Sequence, residues 1–251
     1  MAEAIKKIMK KRKIEQVESY IAHSSVKAGA SAAAVQSAYK IEVRFRGGLT
    51  QTQKNAFKAA ADRWSKIIIG DVPSVRVNGE VIDDLLIEAQ GVKIDGPGRI
   101  LGQAGPTNIR PASAGASAFL PAKGLMSFDT ADLAQMEANG TLIDVITHEM
   151  GHVIGIGTIW DLKKLLAGAG TTNPTFIGSN AMREFGILKK KGHIAVPVEN
   201  SGGSGTQDSH WRESVFKNEL MSGFIAKPNN PISKLTAASL KDLGYVVNMS
   251  A

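Results

Sequence analysis

Apolar and polar residues alternate over residues 39–45, a pattern typical of a strand with one buried face. Two glycines end this pattern, and apolar residues at helical spacing then predict a helix from Thr50 or Thr52 to about Ile69. The side chains expected to face inward are Ala56, Phe57, Ala60 and Trp64. The first part of the chain therefore predicts a strand followed by a long amphipathic helix.

Further strands are predicted at residues 81–87 and 99–104, and another near residues 125–128. Together with the first strand and helix they give a β-α-β-β arrangement over residues 39–128. A short helix is predicted at residues 130–138.

A more strongly apolar helix is predicted to follow Asn139 and Gly140. Thr141 with Asp144 three residues later resembles a capping box. Gly155 and Gly157 allow the chain to turn at its other end. The apolar surface is expected to consist of Leu142, Ile143, Val145, Ile146, Met150 and Val153. This helix is predicted to be mostly buried.

After Gly157 the pattern is weaker. Residues 162–166 and 180–185 predict short helices, and residues 199–206 predict a glycine-rich loop. Ser233 is expected to cap a terminal helix over residues 234–243. The second half therefore predicts short helices between irregular loops.

The buried helix contains the sequence His148-Glu149-Met150-Gly151-His152. Histidines four residues apart share one face of a helix, so two imidazole nitrogens can bind one zinc ion. The glutamate lies beside them and can accept a proton from a metal-bound water. We therefore interpret His148 and His152 as zinc ligands and Glu149 as a general base.

Composition locates the charge of the chain. The net charge is +7, but residues 1–40 have eight Lys/Arg and three Glu, so the remaining residues contribute only +2. Residues 2–22 predict a basic amphipathic helix and residues 23–37 an Ala/Ser/Gly linker, so we place a detachable arm at 1–38. The arm lacks the apolar run of a Sec signal, and no segment has the length of apolar residues needed for a membrane span.

A catalytic zinc site requires a third protein ligand. The chain has no cysteine, so the ligand must be a histidine or a carboxylate. His23 lies in the linker, and His193 follows three lysines whose like charge disfavours a cation. His210 is the better candidate.

Three segments together resemble a known family. The sequence from His148 to Trp160, then His210-Trp211, then Glu219-Leu220-Met221, is similar to the leishmanolysin-type metzincin proteases, particularly the bacterial members. The resemblance covers roughly residues 39–248. Unlike leishmanolysin, the chain has no cysteine, so a disulfide-rich C-terminal domain and cysteine-based latency are not expected.

This resemblance implies a third zinc histidine displaced by an insertion, which would be His210, and a methionine turn below the metal, which would be Met221. It also implies an α+β metzincin-type fold. We expect a twisted mixed sheet and the active-site helix above the cleft in an upper subdomain, about 39–157. An irregular helical lower subdomain, about 158–251, would complete a catalytic domain of residues 39–251.

A narrower segment is similar to the calcium-binding and substrate-edge region of matrix metalloproteases. By this resemblance Asp95, Asp129 and Asp132 would bind Ca²⁺ through carboxylates, with backbone carbonyls of Gly96, Gly98 and Ile100. A glycine-rich turn with a helix cap at Asp129 is the alternative. The edge strand that receives the substrate would contain Leu101, Gly102, Gln103 and Ala104. Gln103 stands where those enzymes have a histidine, so a second zinc is not expected.

These features predict a zinc-dependent endopeptidase acting on protein or peptide substrates. Family resemblance favours an extracellular site of action. One alternative is a catalytically silent protein that keeps the fold, and the intact Glu149 argues against it. The other is a nucleic-acid binder acting through the basic arm, which we do not expect because the rest of the chain is almost neutral.

Overall fold

A five-stranded mixed sheet organises the first half of the protein, for which we obtained a computed structural model that describes residues 17–24, 38–98, 100–225 and 227–251. In chain order the strands are β1 (Ser19–His23), β2 (Lys40–Gly47), β3 (Val75–Val77), β4 (Glu80–Ile82), β5 (Leu85–Val92), β6 (Gly102–Ile109), β7 (Pro121–Asp129), β8 (Leu166–Ala167), β9 (Thr175–Phe176) and β10 (Val196–Pro197). The helices are α1 (Gln51–Ile67), α2 (Thr130–Asn139), α3 (Leu142–Ile154), α4 (Ser179–Leu188), α5 (Glu213–Phe216) and α6 (Lys234–Leu243), with a 3-10 turn at Gly115–Ser117.

The large sheet has the order β1-β2-β5-β7-β6. Its three central strands are parallel, whereas β1 and β6 run antiparallel at the two edges. The predicted α+β class with a twisted mixed sheet is therefore confirmed at this level, while the finer metzincin features stay a prediction.

Helix α1 packs beside α3 over this sheet, and the residues that join them are buried. Phe57 of α1 contacts Phe45 and Phe128 of the sheet edge-to-face, with ring centroids 6.0 and 5.6 Å apart. Trp64 donates from Nε1 to the carbonyl oxygen of Thr147 in α3 at 2.8 Å. The predicted inward residues of α1 are all buried. This contact fixes α3 relative to the sheet.

Sequence signals located several helix ends well. Thr50 caps α1 in a complete capping box with Gln53, and Ser233 caps α6. The capping box predicted for α3 is wrong: the Thr141 side chain makes no cap bond, and Asn139 Oδ1 instead accepts from the Thr141 amide and hydroxyl. Asp144 is used elsewhere, in an ion pair with Arg63.

Two predicted strands have different bounds. The segment 81–87 is not one strand, because it breaks at Asp83 and Asp84 between β4 and β5. There the buried Asp84 carboxylate accepts from the amides of Lys40 and Val72, and Arg110 donates to the carbonyls of both aspartates. The strand predicted at 99–104 begins later and runs to Ile109, including a bulge after Pro106, which an edge strand tolerates.

The predicted N-terminal helix is wrong where it can be compared. Residues 19–23 form β1, which pairs with β2 from Ser19–Arg44 to His23–Lys40. The rest of that predicted helix, up to residue 16, and most of the predicted linker, residues 25–37, lie outside the described residues. The boundary at residue 38 stays a prediction, but β1 itself is part of the sheet.

The second half is less regular. Strands β8, β9 and β10 form a small antiparallel sheet that the sequence pattern did not predict. The helix predicted at 162–166 is wrong, since these residues form turns leading into β8, whereas α4 extends the helix predicted at 180–185. Across the described ranges, no helix combines the length and apolarity that crossing a membrane requires.

We expect removal of β1 to destabilise the sheet. Ala22 is buried, and Tyr20 donates to Asp62 at 2.7 Å, so a chain beginning at residue 38 should lose about 3 kcal/mol relative to one beginning at residue 17. Thermal unfolding should register this as a decrease of about 5 to 10 °C. Equal melting temperatures would show that β1 contributes nothing to the fold.

Candidate metal centre

Three histidines converge at the end of α3. His148 and His152 project from one face of this helix, and His210 comes from the loop that follows β10. All three are buried, and their Nε2 atoms lie 3.0 Å from one another in every pair. The structure thus brings His210, and not His23 or His193, to the two helical histidines.

The opposite nitrogen of each ring faces a backbone carbonyl oxygen. His148 Nδ1 lies 2.7 Å from Leu220 O, His152 Nδ1 lies 2.9 Å from Ile156 O, and His210 Nδ1 lies 2.9 Å from Thr206 O. A carbonyl oxygen only accepts, so each Nδ1 must carry the proton and each Nε2 must present a lone pair.

Three lone pairs directed at one point repel each other unless a cation lies between them. Neutral imidazoles oriented by carbonyl acceptors are the usual ligand set of a zinc site, and a chain without cysteine offers no thiolate. The donor set therefore fits a zinc ion with three protein ligands.

Burial keeps these imidazoles neutral. It lowers the pKa of His148 to about 3, with a further contribution from His210. Burial also lowers the pKa of His152 far below its usual range, and it lowers the pKa of His210. All three rings are therefore ready to bind a metal at neutral pH without first losing a proton.

A close approach of two backbone segments places His210. Helix α3 ends at Gly155, and Gly157 then adopts φ +77° directly against Ser209. A Cβ atom at Gly157 would lie 2.1 Å from Ser209 O, so only glycine permits this contact. The glycines predicted as turn points thus also seat the segment that contains the third histidine.

Met221 lies against α3 between the two helical histidines. A Cβ atom at Gly151 would lie 2.7 Å from Met221 Sδ, and Met221 is fully buried. The turn that contains Met221 also supplies Leu220 O to His148. This methionine therefore packs against α3 next to the histidine cluster, while its role as the methionine turn below a metal stays a prediction.

Glu219 holds that turn, a role that the sequence does not predict, since Glu219 is named there only as part of Glu219-Leu220-Met221. One carboxylate oxygen accepts from the Met221 amide at 2.6 Å. The other accepts from the Ser233 amide at 3.0 Å and hydroxyl at 2.8 Å, and from the Thr236 hydroxyl. Burial raises the pKa of Glu219, while these donors favour its charged form. The side chain thus joins the Met221 turn to the first turn of α6.

Glu149 lies between the two histidines in sequence and is partly buried. Burial raises the pKa of its carboxyl to about 7. Within the described residues no side chain or backbone group hydrogen-bonds to this carboxylate, which leaves it free to exchange a proton.

The residues expected to receive a substrate lie at an edge of the sheet. Gly102, Gln103 and Ala104 begin β6, and Leu101 immediately precedes it and accepts from the Asp129 amide at 3.0 Å. Helix α3 packs against β6 and β7. The outer edge of β6 is thus exposed beside the helix of the histidines.

The expected calcium ligands serve another purpose. Asp129 Oδ2 accepts from the amides of residues 94–96 at 2.7 to 3.0 Å, and Oδ1 caps α2 through the Ala131 amide. These backbone bonds lower the pKa of Asp129 to about 2. Asp132 accepts from the Gly98 amide. Among the described residues Asp95, Asp129 and Asp132 do not form a metal-binding group, so the calcium prediction has no support in the geometry.

A second acidic group is structural. Asp71, Asp83 and Asp84 lie close together, but Lys40 pairs with Asp83 at 2.7 Å and the Asp84 carboxylate accepts backbone amides. It needs no cation to be satisfied.

We expect Gly157→Ala to disturb the third histidine. The added Cβ must displace the Ser209 backbone, so both the melting temperature and zinc affinity, measured by competition with a chelator, should fall. Gly170→Ala is the matched control: Gly170 has φ +73° but open space around it, so this variant should show only the backbone strain of about 1 kcal/mol. Equal zinc affinity in the two variants would contradict the role of the contact.

We expect Glu219→Gln to weaken zinc binding by about 10- to 100-fold, because an amide nitrogen cannot accept from Ser233 or Met221 and the turn that orients His148 loosens. The matched control is Asp242→Asn, since Asp242 accepts from the Asn180 and Ala181 amides in the same manner but remote from the histidines.

Both variants should lose stability in denaturant unfolding, and only Glu219→Gln should lose zinc affinity. If Asp242→Asn reduces zinc affinity as much, Glu219 acts through general stability alone.

Comparison with known proteins identifies the family of this chain. The family model described as leishmanolysin matches residues 116–251, which is more than half of the chain and includes the histidine cluster.

Leishmanolysin-like peptidases of Caenorhabditis elegans and Caenorhabditis briggsae are each 39% identical over 70 residues, covering 28% of this chain and 10% of theirs. A leishmanolysin homolog of Crithidia fasciculata is 25% identical over 135 residues, covering 50% of this chain and 20% of its own. The chain thus spans a tenth to a fifth of the length of these curated relatives, and a special likeness to bacterial members stays a prediction. The family match extends across both α3 and the segment that contains His210, and we conclude that this chain belongs to the leishmanolysin family.

Proposed function

We propose that the protein is a zinc-dependent endopeptidase that hydrolyses peptide bonds in protein or peptide substrates. The observation that carries the proposal is the convergence of three buried Nε2 lone pairs next to Glu149. Membership of a metallopeptidase family supports the same assignment.

His148, His152 and His210 would hold the ion, and the carbonyls of Leu220, Ile156 and Thr206 fix their tautomers. A bound zinc ion supplies the Lewis acidity that activates water and polarises a carbonyl. Met221 supports the histidines from below and takes no part in proton transfer.

Glu149 would act as the general base. Its carboxylate would take the proton of the water that attacks the scissile carbonyl carbon and deliver that proton to the leaving amine nitrogen. Its partly buried position beside two metal ligands suits both transfers.

Substrate binding would use the exposed edge of β6. An extended peptide added as a further strand would pair with the backbone of residues 101–104, which places it along α3. The segment after Met221, with Phe224 62% exposed, would contact residues beyond the cleaved bond. We do not extend the proposal to calcium, because backbone amides already occupy Asp129.

The alternatives have less support. The arrangement of Glu149 and the histidines argues against a catalytically silent fold. A nucleic-acid-binding role depends on the basic arm, whose first 16 residues lie outside the described part of the chain. An extracellular site of action remains part of the proposal and derives from the family alone.

We expect Glu149→Gln to keep zinc but lose hydrolysis of an unstructured protein such as casein by about 100-fold or more, since the base is removed and the ligands remain. Full activity with unchanged metal content in this variant would overturn the mechanism.

Metal content of the purified protein gives the second test. We expect His210→Ala to lose zinc, because one of three ligands is removed. His193→Ala is the matched control, since His193 is exposed and lies outside the cluster. Retention of zinc by His210→Ala would reject the ligand assignment.

A further inference from the structure

Helix α4 ends in a closed turn, residues 187–193, which we call the α4 tip. The Lys191 amide donates to Gly186 O at 2.9 Å, and the Lys190 amide to Ile187 O at 3.1 Å. Gly186 is packed so closely against Gly192 that a Cβ atom would lie 2.0 Å from Gly192 O. The backbone of the tip is therefore pinned to the helix, and the outward direction of its side chains is built into the fold.

The α4 tip exposes two adjacent aliphatic side chains. Ile187 is 61% and Leu188 64% exposed, so the other described residues of the chain leave most of both side chains uncovered. Lys189, Lys190, Lys191 and His193 follow them and are exposed as well. Two consecutive exposed aliphatic residues at the end of α4, followed directly by three lysines, form an amphipathic surface that is available to a partner.

Charge at the tip has one sign. Between residues 177 and 198 the chain contains a single carboxylate, Glu184, and it pairs with Arg183 at 2.9 Å. Lys189 lies over the Phe185 ring with Nζ 5.4 Å from the ring centroid. A surface that complements the tip would have negative charge outermost and an apolar layer directly beneath.

We propose that the α4 tip docks on the surface of an anionic lipid bilayer. The lysines would lie at the level of the lipid phosphates, and Ile187 and Leu188 would enter the boundary of the acyl chains. A nucleic acid would match the lysines but has no apolar layer behind its phosphates. None of the tip residues belongs to the histidine cluster, and docking there would hold the proposed peptidase at a membrane without using any of its metal-binding residues.

Sedimentation of the full chain with vesicles tests the proposal. One set contains phosphatidylcholine alone and the other equal parts phosphatidylcholine and phosphatidylglycerol. We expect binding to the anionic set, and about tenfold weaker binding for both Ile187→Ser/Leu188→Ser and Lys189→Gln/Lys190→Gln/Lys191→Gln. All variants contain the same basic segment 1–40, so a difference in vesicle binding between them measures the contribution of the α4 tip.

Matched controls distinguish the effect of the α4 tip from the effect of removing positive charge or an exposed aliphatic side chain anywhere on the surface. Lys93→Gln/Lys227→Gln/Lys241→Gln removes the same charge from exposed sites elsewhere, and Val81→Ser removes an aliphatic side chain that is 59% exposed. Both should bind like the parent. Wild-type binding by the tip variants, or equal loss in the controls, would overturn the proposal.

Binding of poly-glutamate through the tip without any vesicle binding would equally overturn the proposal and indicate an acidic protein partner. Hydrolysis of a soluble peptide should be unchanged in all variants, and its outcome bears on the proposed peptidase activity separately.

Discussion

The hydrogen bonds from three imidazole Nδ1 groups to backbone carbonyls are the constraint on which the site depends. A histidine that can rotate or exchange its tautomer is a poor ligand, whereas one whose Nδ1–H is bound to a fixed carbonyl presents its Nε2 lone pair in one direction. Leu220, Ile156 and Thr206 supply those carbonyls from three separate segments. The candidate metal centre therefore requires that the end of α3, the loop before His210 and the Met221 turn be placed together.

After α3 the chain has only short helices and strands, and buried side chains hold the segments around the histidines in place. Trp211, next to the third histidine, contacts Trp160 and Phe176 with ring centroids 4.7 and 5.5 Å apart. Its Nε1 donates to the Thr236 hydroxyl, which also bonds Glu219. A buried aromatic cluster and a buried carboxylate thus connect the segment that contains His210 with the Met221 turn and α6.

Local signals in the sequence predicted much of this, and long-range ones did not. Spacing on a helix predicts that His148, Glu149 and His152 share one site, and capping chemistry predicts the caps Thr50 and Ser233, because both depend on residues a few positions apart. His210 was reached by exclusion and family resemblance.

The roles of Glu219 and Gly157 depend on contacts with residues 14 to 52 positions away, for which a single sequence gives no spacing. The sequence around β1 predicts a helix because Ile14, Val17 and Ile21 also fit a helical period, and only pairing with β2 decides between helix and strand.

The loop before β6 illustrates how backbone amides can serve where a cation was expected. A carboxylate that gathers amides from residues 94–96 and from the start of α2 neutralises its charge with N–H dipoles, which satisfies the aspartate without an ion. The Asp129 amide at the same time donates to Leu101 O, the residue that leads into the edge strand. One residue therefore fixes both the loop and the strand that we propose binds the substrate. Since these bonds lower the pKa of Asp129 to about 2, the carboxylate stays charged throughout the neutral range and keeps its backbone donors, which hold the loop that leads to β6.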